Sequence, residues 1–134
     1  MENYSSAAIR HWKDAELLES ANRVENADHH YGIAAECAIK KVLVTFPAFS
    51  ASGVLSASYM QHINALWDKV GHQSLQKSYP KLLAILKTPN DFSGWHVNQR
   101  YFADGTVTSA TLASHKKTTS RLFGAVNLSG NRRA

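Results

Sequence analysis

Apolar residues recur every three or four positions in four stretches of the chain, and that spacing predicts four main helices. In the first, Ile9, Trp12, Ala15 and Leu18 or Glu19 form one stripe. Leu17 broadens it, while Arg10, Lys13, Asp14 and Glu16 face water. Ser5 or Ser6 is placed to cap this helix, which runs from about Ser6 to Ala21, and Asn22 suits the turn behind it. The second helix begins between Val24 and Asn26 and stops before Pro47, whose ring cannot continue it. Its apolar residues, from Ala27 and Tyr31 through Ala34, Ala35, Ala38, Ile39 and Val42 to Phe46, cover a wide arc. That breadth predicts burial against more than one neighbour. Gly32 lowers helix propensity there, and close approach of another helix is the compensating gain.

Residues 47–58 read as a loop or loose turn. A third helix is predicted from about Ala57 to Val70 on Tyr59, Ile63, Leu66, Trp67 and Val70. A short helix follows over Pro80 to Leu86, with proline suitably at its first turn. The stretch TPNDFSGWHVNQRYFADGTVT is rich in turn formers and predicts an irregular connection, with WHVNQRY locally ordered. The last helix is predicted from Ser109 to about Asn127, with Leu112, His115 or Lys116, Thr119, Leu122, Phe123 and Val126 inward. The tail SGNRRA is expected to fray. No alternating pattern persists, so the expected fold is all-α. It is one domain over residues 1–134 with an ordered core of about 6–127, an antiparallel four-helix bundle with an additional short helix.

Composition refines this picture little: 44% hydrophobic and 19% charged residues are ordinary for a globular chain. The single cysteine, Cys37, excludes an intrachain disulfide and suits a buried thiol in a reducing compartment. No basic-then-apolar leader is apparent at the start, and no apolar run reaches the ~18 residues of a membrane span. A cytoplasmic protein without membrane contact is expected. Charge is uneven. Through Trp67 five Lys or Arg stand against seven Asp or Glu, a balance of −2; thereafter ten stand against three, a balance of +7. A basic second half suits nucleic acid, an acidic partner or simple solvation. Lys116, Lys117 and Arg121 on the last helix are its nucleic-acid candidates.

Chemistry is sparse. Glu36 and Lys40 lie four apart within the most apolar helix, in the favourable acid-first order, so they serve either as a placed ion pair or as ligand-binding groups. Arg100 and Tyr101 sit in the polar junction before the last helix. There an Arg could hold a carboxylate or phosphate, or lock the loop through Glu36 or the acids of the first helix. Seven histidines invite a metal reading. His29 and His30 are adjacent and diverge on a helix, His11, His62, His72, His96 and His115 are scattered, and neither HExxH nor paired cysteines occur. His29 and Glu36 share a face, to which His62 or His115 could be added by folding. The expectation is no metal and no cofactor. There is no phosphate-cradling glycine loop and no G-x-S-x-G elbow.

The segment RHWKDAELLESANRVENADHHYGIAAECAIKKVL resembles the first two helices of the HEPN family. Asp14, Ala15 and Leu18 match its DA-x-x-L helix; Ala34 or Ala35, Glu36, Lys40 and Leu43 match its A-x-E-x-x-x-K-A-L helix. NQRYFADG is similar to the ARYP junction found before the last helix in some members. The resemblance implies a HEPN-like bundle, a homodimer, and a toxin–antitoxin or phage-defence setting. Ribonucleases of the family carry an Arg followed by His after four to six residues. Behind Arg100 those positions are Gly105, Thr106 and Val107. The resemblance therefore implies a non-catalytic member that binds a nucleotide, RNA or a protein. Two alternatives accompany it. One is a metal-independent ribonuclease toxin using Arg23 with His29 and His30, or Arg100 with a histidine brought in by folding. The other is a structural or accessory protein of a mobile element.

Overall fold

Asn3 starts the first helix. In the computed structural model, which describes residues 2–128, its side-chain oxygen accepts the Ser6 N–H at 3.0 Å and caps α1 (Tyr4–Ser20). Ser5 and Ser6 already lie inside the first turn, so neither is the cap. Ala8, Trp12 and Ala15 are buried. Leu17 is 70% exposed and does not belong to the stripe. At 3.6 residues per turn it lies about 180° from Ala8. Asn22 (φ 59°) closes the turn in the left-handed region, and the Arg23 N–H donates to the Leu18 carbonyl.

The central element is α2 (Val24–Leu43), which packs against α1 and also meets α6, α3 and the loop before α6. Phe46 lies past its end and is half-buried. Gly32 does admit a close neighbour, but the neighbour is the Trp95 indole, set in place by an irregular loop, rather than another helix.

Residues 50–55 form a minimal antiparallel hairpin, β1 (Ser50–Ala51) and β2 (Val54–Leu55), closed by Ser52 and Gly53, both at positive φ. The helix predicted over Ala57 to Val70 is broken. A 3-10 turn (Ala57–Tyr59) precedes α3 (Ile63–Lys69), because His62 is extended (ψ 164°) and reaches across to Glu36. A one-turn helix α4 (His72–Leu75) leads to α5 (Pro80–Leu86), which matches its predicted span. A second 3-10 turn (Val97–Tyr101) orders part of the WHVNQRY segment. Thr108 caps α6 (Ser109–Ala125) by accepting the Thr111 N–H.

The described residues are thus mostly helical, with strand limited to the two-residue hairpin arms, and their buried apolar side chains form one contiguous cluster. Among them no helix is long and apolar enough to cross a membrane. The tail expected to fray, residues 129–134, lies outside the described residues.

Candidate functional site

Glu36 and Lys40 meet as the helical spacing requires. The Lys40 ammonium donates to Glu36 Oε2 at 2.8 Å, and each residue is only 6% exposed. The other carboxylate oxygen faces His62 Nδ1 at 3.1 Å. Both acceptor oxygens of this buried carboxylate are therefore engaged, an arrangement that ties α2 to the start of α3. Arg100 is exposed and does not take part in this pair. Next to Glu36, the Cys37 thiol is pushed up to about 12, first by burial and then by that carboxylate. It stays protonated and weakly nucleophilic at neutral pH.

Behind this pair lies a second buried polar network. His115 Nδ1 sits 2.7 Å from Asp28 Oδ1, and its Nε2 sits 2.9 Å from the Asp91 carbonyl oxygen. A carbonyl only accepts, so Nε2 carries a proton. The Nδ1 contact holds a further proton between imidazole and carboxylate, which makes the pair a buried imidazolium–carboxylate. Gln99 donates to Asp28 Oδ2 at 2.8 Å, and the Trp95 indole donates to the Asp28 carbonyl at 3.1 Å. Ser114 and Thr118 donate to the Asp91 carboxylate. Burial works against the charge on His115, but the hydrogen bonds and charges of Asp28 and Asp91 outweigh it, and its pKa is raised. His115 is thereby resolved as the inward residue of α6. This network joins α2, α6 and the loop between α5 and α6, and sequence pattern did not single out Asp28, Asp91 or Gln99. The one available signal was Asp28, an acid on the apolar arc of α2.

The same network aims Arg100 and Tyr101 outward. His96 and Gln99 cap the 3-10 turn reciprocally: His96 Nδ1 accepts the Asn98 N–H, and Gln99 Oε1 accepts the His96 N–H. With Gln99 held by Asp28, the next residues project into solvent; Tyr101 is 75% exposed and Phe102 41%. The Arg100 guanidinium lies over the Tyr101 ring at 5.0 Å. Arg23, at the N-terminus of α2, shares a small open cavity of about 140 Å³ with Arg100, the carboxylates of Glu25 and Asp104, and Asn26, Gln99 and Phe102. A larger one of about 440 Å³ adjoins it along residues 21–25, with Arg23, Glu25 and Asp104 common to both. No side chain caps α2. Glu25 accepts the Gly105 and Val107 N–H groups at 3.1 and 2.9 Å, which pins the opposite wall. Two guanidiniums, two carboxylates and the Phe102 ring thus line one rim at the start of α2, with Tyr101 held beside it against Arg100; the guanidiniums can hold a phosphate and the exposed rings can stack on a base.

Histidines gather on the other side of α2. His11 Nδ1 and His30 Nδ1 are 2.9 Å apart, and Asp14 brings a carboxylate oxygen within 4.8 Å of both rings' nitrogens. His29 stacks on Trp95 (5.7 Å between centroids) and meets the His30 ring edge-on (5.4 Å). Its pKa is lowered to about 4, first by burial, then by the charges of His30 and Arg100. His29 and Glu36 do not form a site with His62 and His115: His62 turns to Glu36, and His115 turns to Asp28.

The basic candidates on α6 divide. Lys116 pairs with Glu19 at 3.1 Å and lies over the Tyr31 ring, whereas Lys117 and Arg121 line a separate cavity with Trp67 and Asp91. Neither set shares the rim of Arg23 and Arg100. Set against models of known families, curated proteins and solved structures, the chain matches none of them.

Proposed function

We propose that this chain is a non-catalytic HEPN-like four-helix bundle that binds a nucleotide or a single-stranded RNA segment at the rim of Arg23, Arg100 and Tyr101. The observation that carries this reading is the convergence of Arg23 and Arg100, remote in sequence, on one open cavity at the uncapped start of α2, where Glu25 and Asp104 also lie and Glu25 is already engaged by the Gly105 and Val107 N–H groups. Tyr101 and Phe102 offer the exposed ring faces on which bases stack. The buried ion pairs of Glu36 and Asp28 supply rigidity behind that rim, and Lys117 with Arg121 is a secondary basic contact for a longer strand. A homodimer and a toxin–antitoxin or phage-defence role rest on the resemblance of the first two helices to the HEPN family.

Fluorescence anisotropy with a labelled single-stranded RNA tests the reading. Arg23→Ala and Arg100→Ala should each weaken binding and reduce the salt slope by about 1, and Tyr101→Ala should cost ~1–3 kcal/mol. Affinity indifferent to all three variants refutes the rim. The same incubation reports cleavage. RNA degradation that disappears in both Arg100→Ala and His29→Gln would replace the binding reading with a ribonuclease one.

A further inference from the structure

We propose that His11, Asp14 and His30 bind a divalent first-row transition-metal ion between α1 and α2. The proposal is independent of the nucleotide rim and uses none of its residues.

The helix hairpin creates this site. His11 and Asp14 are three apart on α1 and share a face, and His30 comes from the antiparallel α2. One donor atom from each lies within 4.8 Å of the others. Two imidazoles and one carboxylate make a donor set proper to transition ions rather than to Mg²⁺ or Ca²⁺, which prefer oxygen. Both imidazoles are half-buried between the two helices, with their Nδ1 atoms turned toward each other.

The two rings face each other across a shared proton. With 2.9 Å between the Nδ1 atoms and 5.1 Å between ring centroids, the rings meet nearly head-on, as in an Nδ1–H···Nδ1 hydrogen bond. Two nitrogens on one tetrahedral ion stand about 3.3 Å apart, given metal–nitrogen bonds of ~2.0–2.1 Å. The change needed is a few tenths of an ångström and a turn of each ring about its last torsion, which is soft for histidine. The donating ring shifts its proton from Nδ1 to Nε2, and the ion takes the proton's place between the rings. Asp14 is exposed, so the ion keeps an open side for water. Three protein ligands and one open position are the usual makeup of an exchangeable site rather than of a closed structural one.

Calorimetric titration of tag-free, chelator-stripped protein with Zn²⁺ and Ni²⁺ tests this. One ion per chain is expected, with Mg²⁺ and Ca²⁺ unable to compete. His11→Gln and His30→Gln should each lower the affinity about tenfold or more. Asp14→Asn should lower it several-fold, and His72→Gln on α4 should leave it unchanged. In the wild type, imidazole nitrogen NMR should show Zn²⁺ moving the signals of His11 and His30 and leaving His72 in place, a readout that needs no variant to fold. Absence of saturable binding, equal affinity in His11→Gln and His30→Gln, or Zn²⁺-shifted signals from other histidines would overturn the site.

Discussion

At Gly32 the α2 backbone lies against the face of Trp95, an indole that is 1% exposed and hydrogen-bonded to the Asp28 carbonyl. Gly→Ala in an ordinary helix is stabilising by up to ~1 kcal/mol. Here the added Cβ would fall within the indole, so the sign reverses. Gly32→Ala should destabilise the protein by about 1–3 kcal/mol, the usual cost of overpacking, seen as a lower denaturation midpoint. A raised midpoint would mean that the Trp95 contact is dispensable. The sequence marked Gly32 as a place of close approach, because a glycine in a good helix needs some return. It carried no information about what approaches, since Trp95 arrives from an irregular loop with no periodicity to read.

At the scale of elements, starts and stops depend on which polar side chain reaches which backbone group. α1 begins one turn's cap earlier than the Ser5–Ser6 pair suggests, because Asn3 reaches the Ser6 N–H. Asn3→Ala should therefore cost ~1 kcal/mol in stability, measured by chemical denaturation, while Ser5→Ala should cost little. The reverse order would return the cap to the serines. α5 was legible to the residue, since Pro80 fixes its first turn and Leu82, Leu83, Ile85 and Leu86 are all buried. The third helix was not. Its apolar spacing runs unbroken from Tyr59 to Val70, but the engagement of His62 by Glu36 holds the backbone extended between two shorter elements. A contact across 26 residues leaves no trace in a local pattern.

For the whole molecule, histidine titration sets a stability profile with two limbs. His11, His29 and His30 have lowered pKa values in the fold, that of His29 about 4 against an ordinary 6.5. The unfolded chain takes up their protons first, so stability falls as pH drops below about 6.5 toward 4. His115 has a raised pKa, so its contribution is complete below about 6.5 and is lost as pH rises through the folded value. Denaturation midpoints measured across pH should show both limbs. His29→Gln should flatten the acid limb, and His115→Gln should flatten the alkaline one while lowering stability throughout. A His115→Gln profile parallel to the wild type would show that the imidazolium pair with Asp28 does not form. The uneven charge of the chain is likewise resolved at this scale: Lys116 of the basic half closes on Glu19 of the acidic half, so the two halves partly neutralise each other.

The sequence by itself determined the mostly helical character, most of the inward faces of α1, α2, α5 and α6, and the placing of Glu36 and Lys40 on one helical face. Each of these follows from spacings of three or four residues, which the helix repeat turns directly into contacts. Only the tertiary structure decided the rest: Trp95 against Gly32, His115 on Asp28, Arg23 beside Arg100, and His11 opposite His30. These partners belong to different elements, and their meeting depends on how helices and loops pack. Candidate residues could therefore be recognised in the chain, but the sites they form arise from the fold.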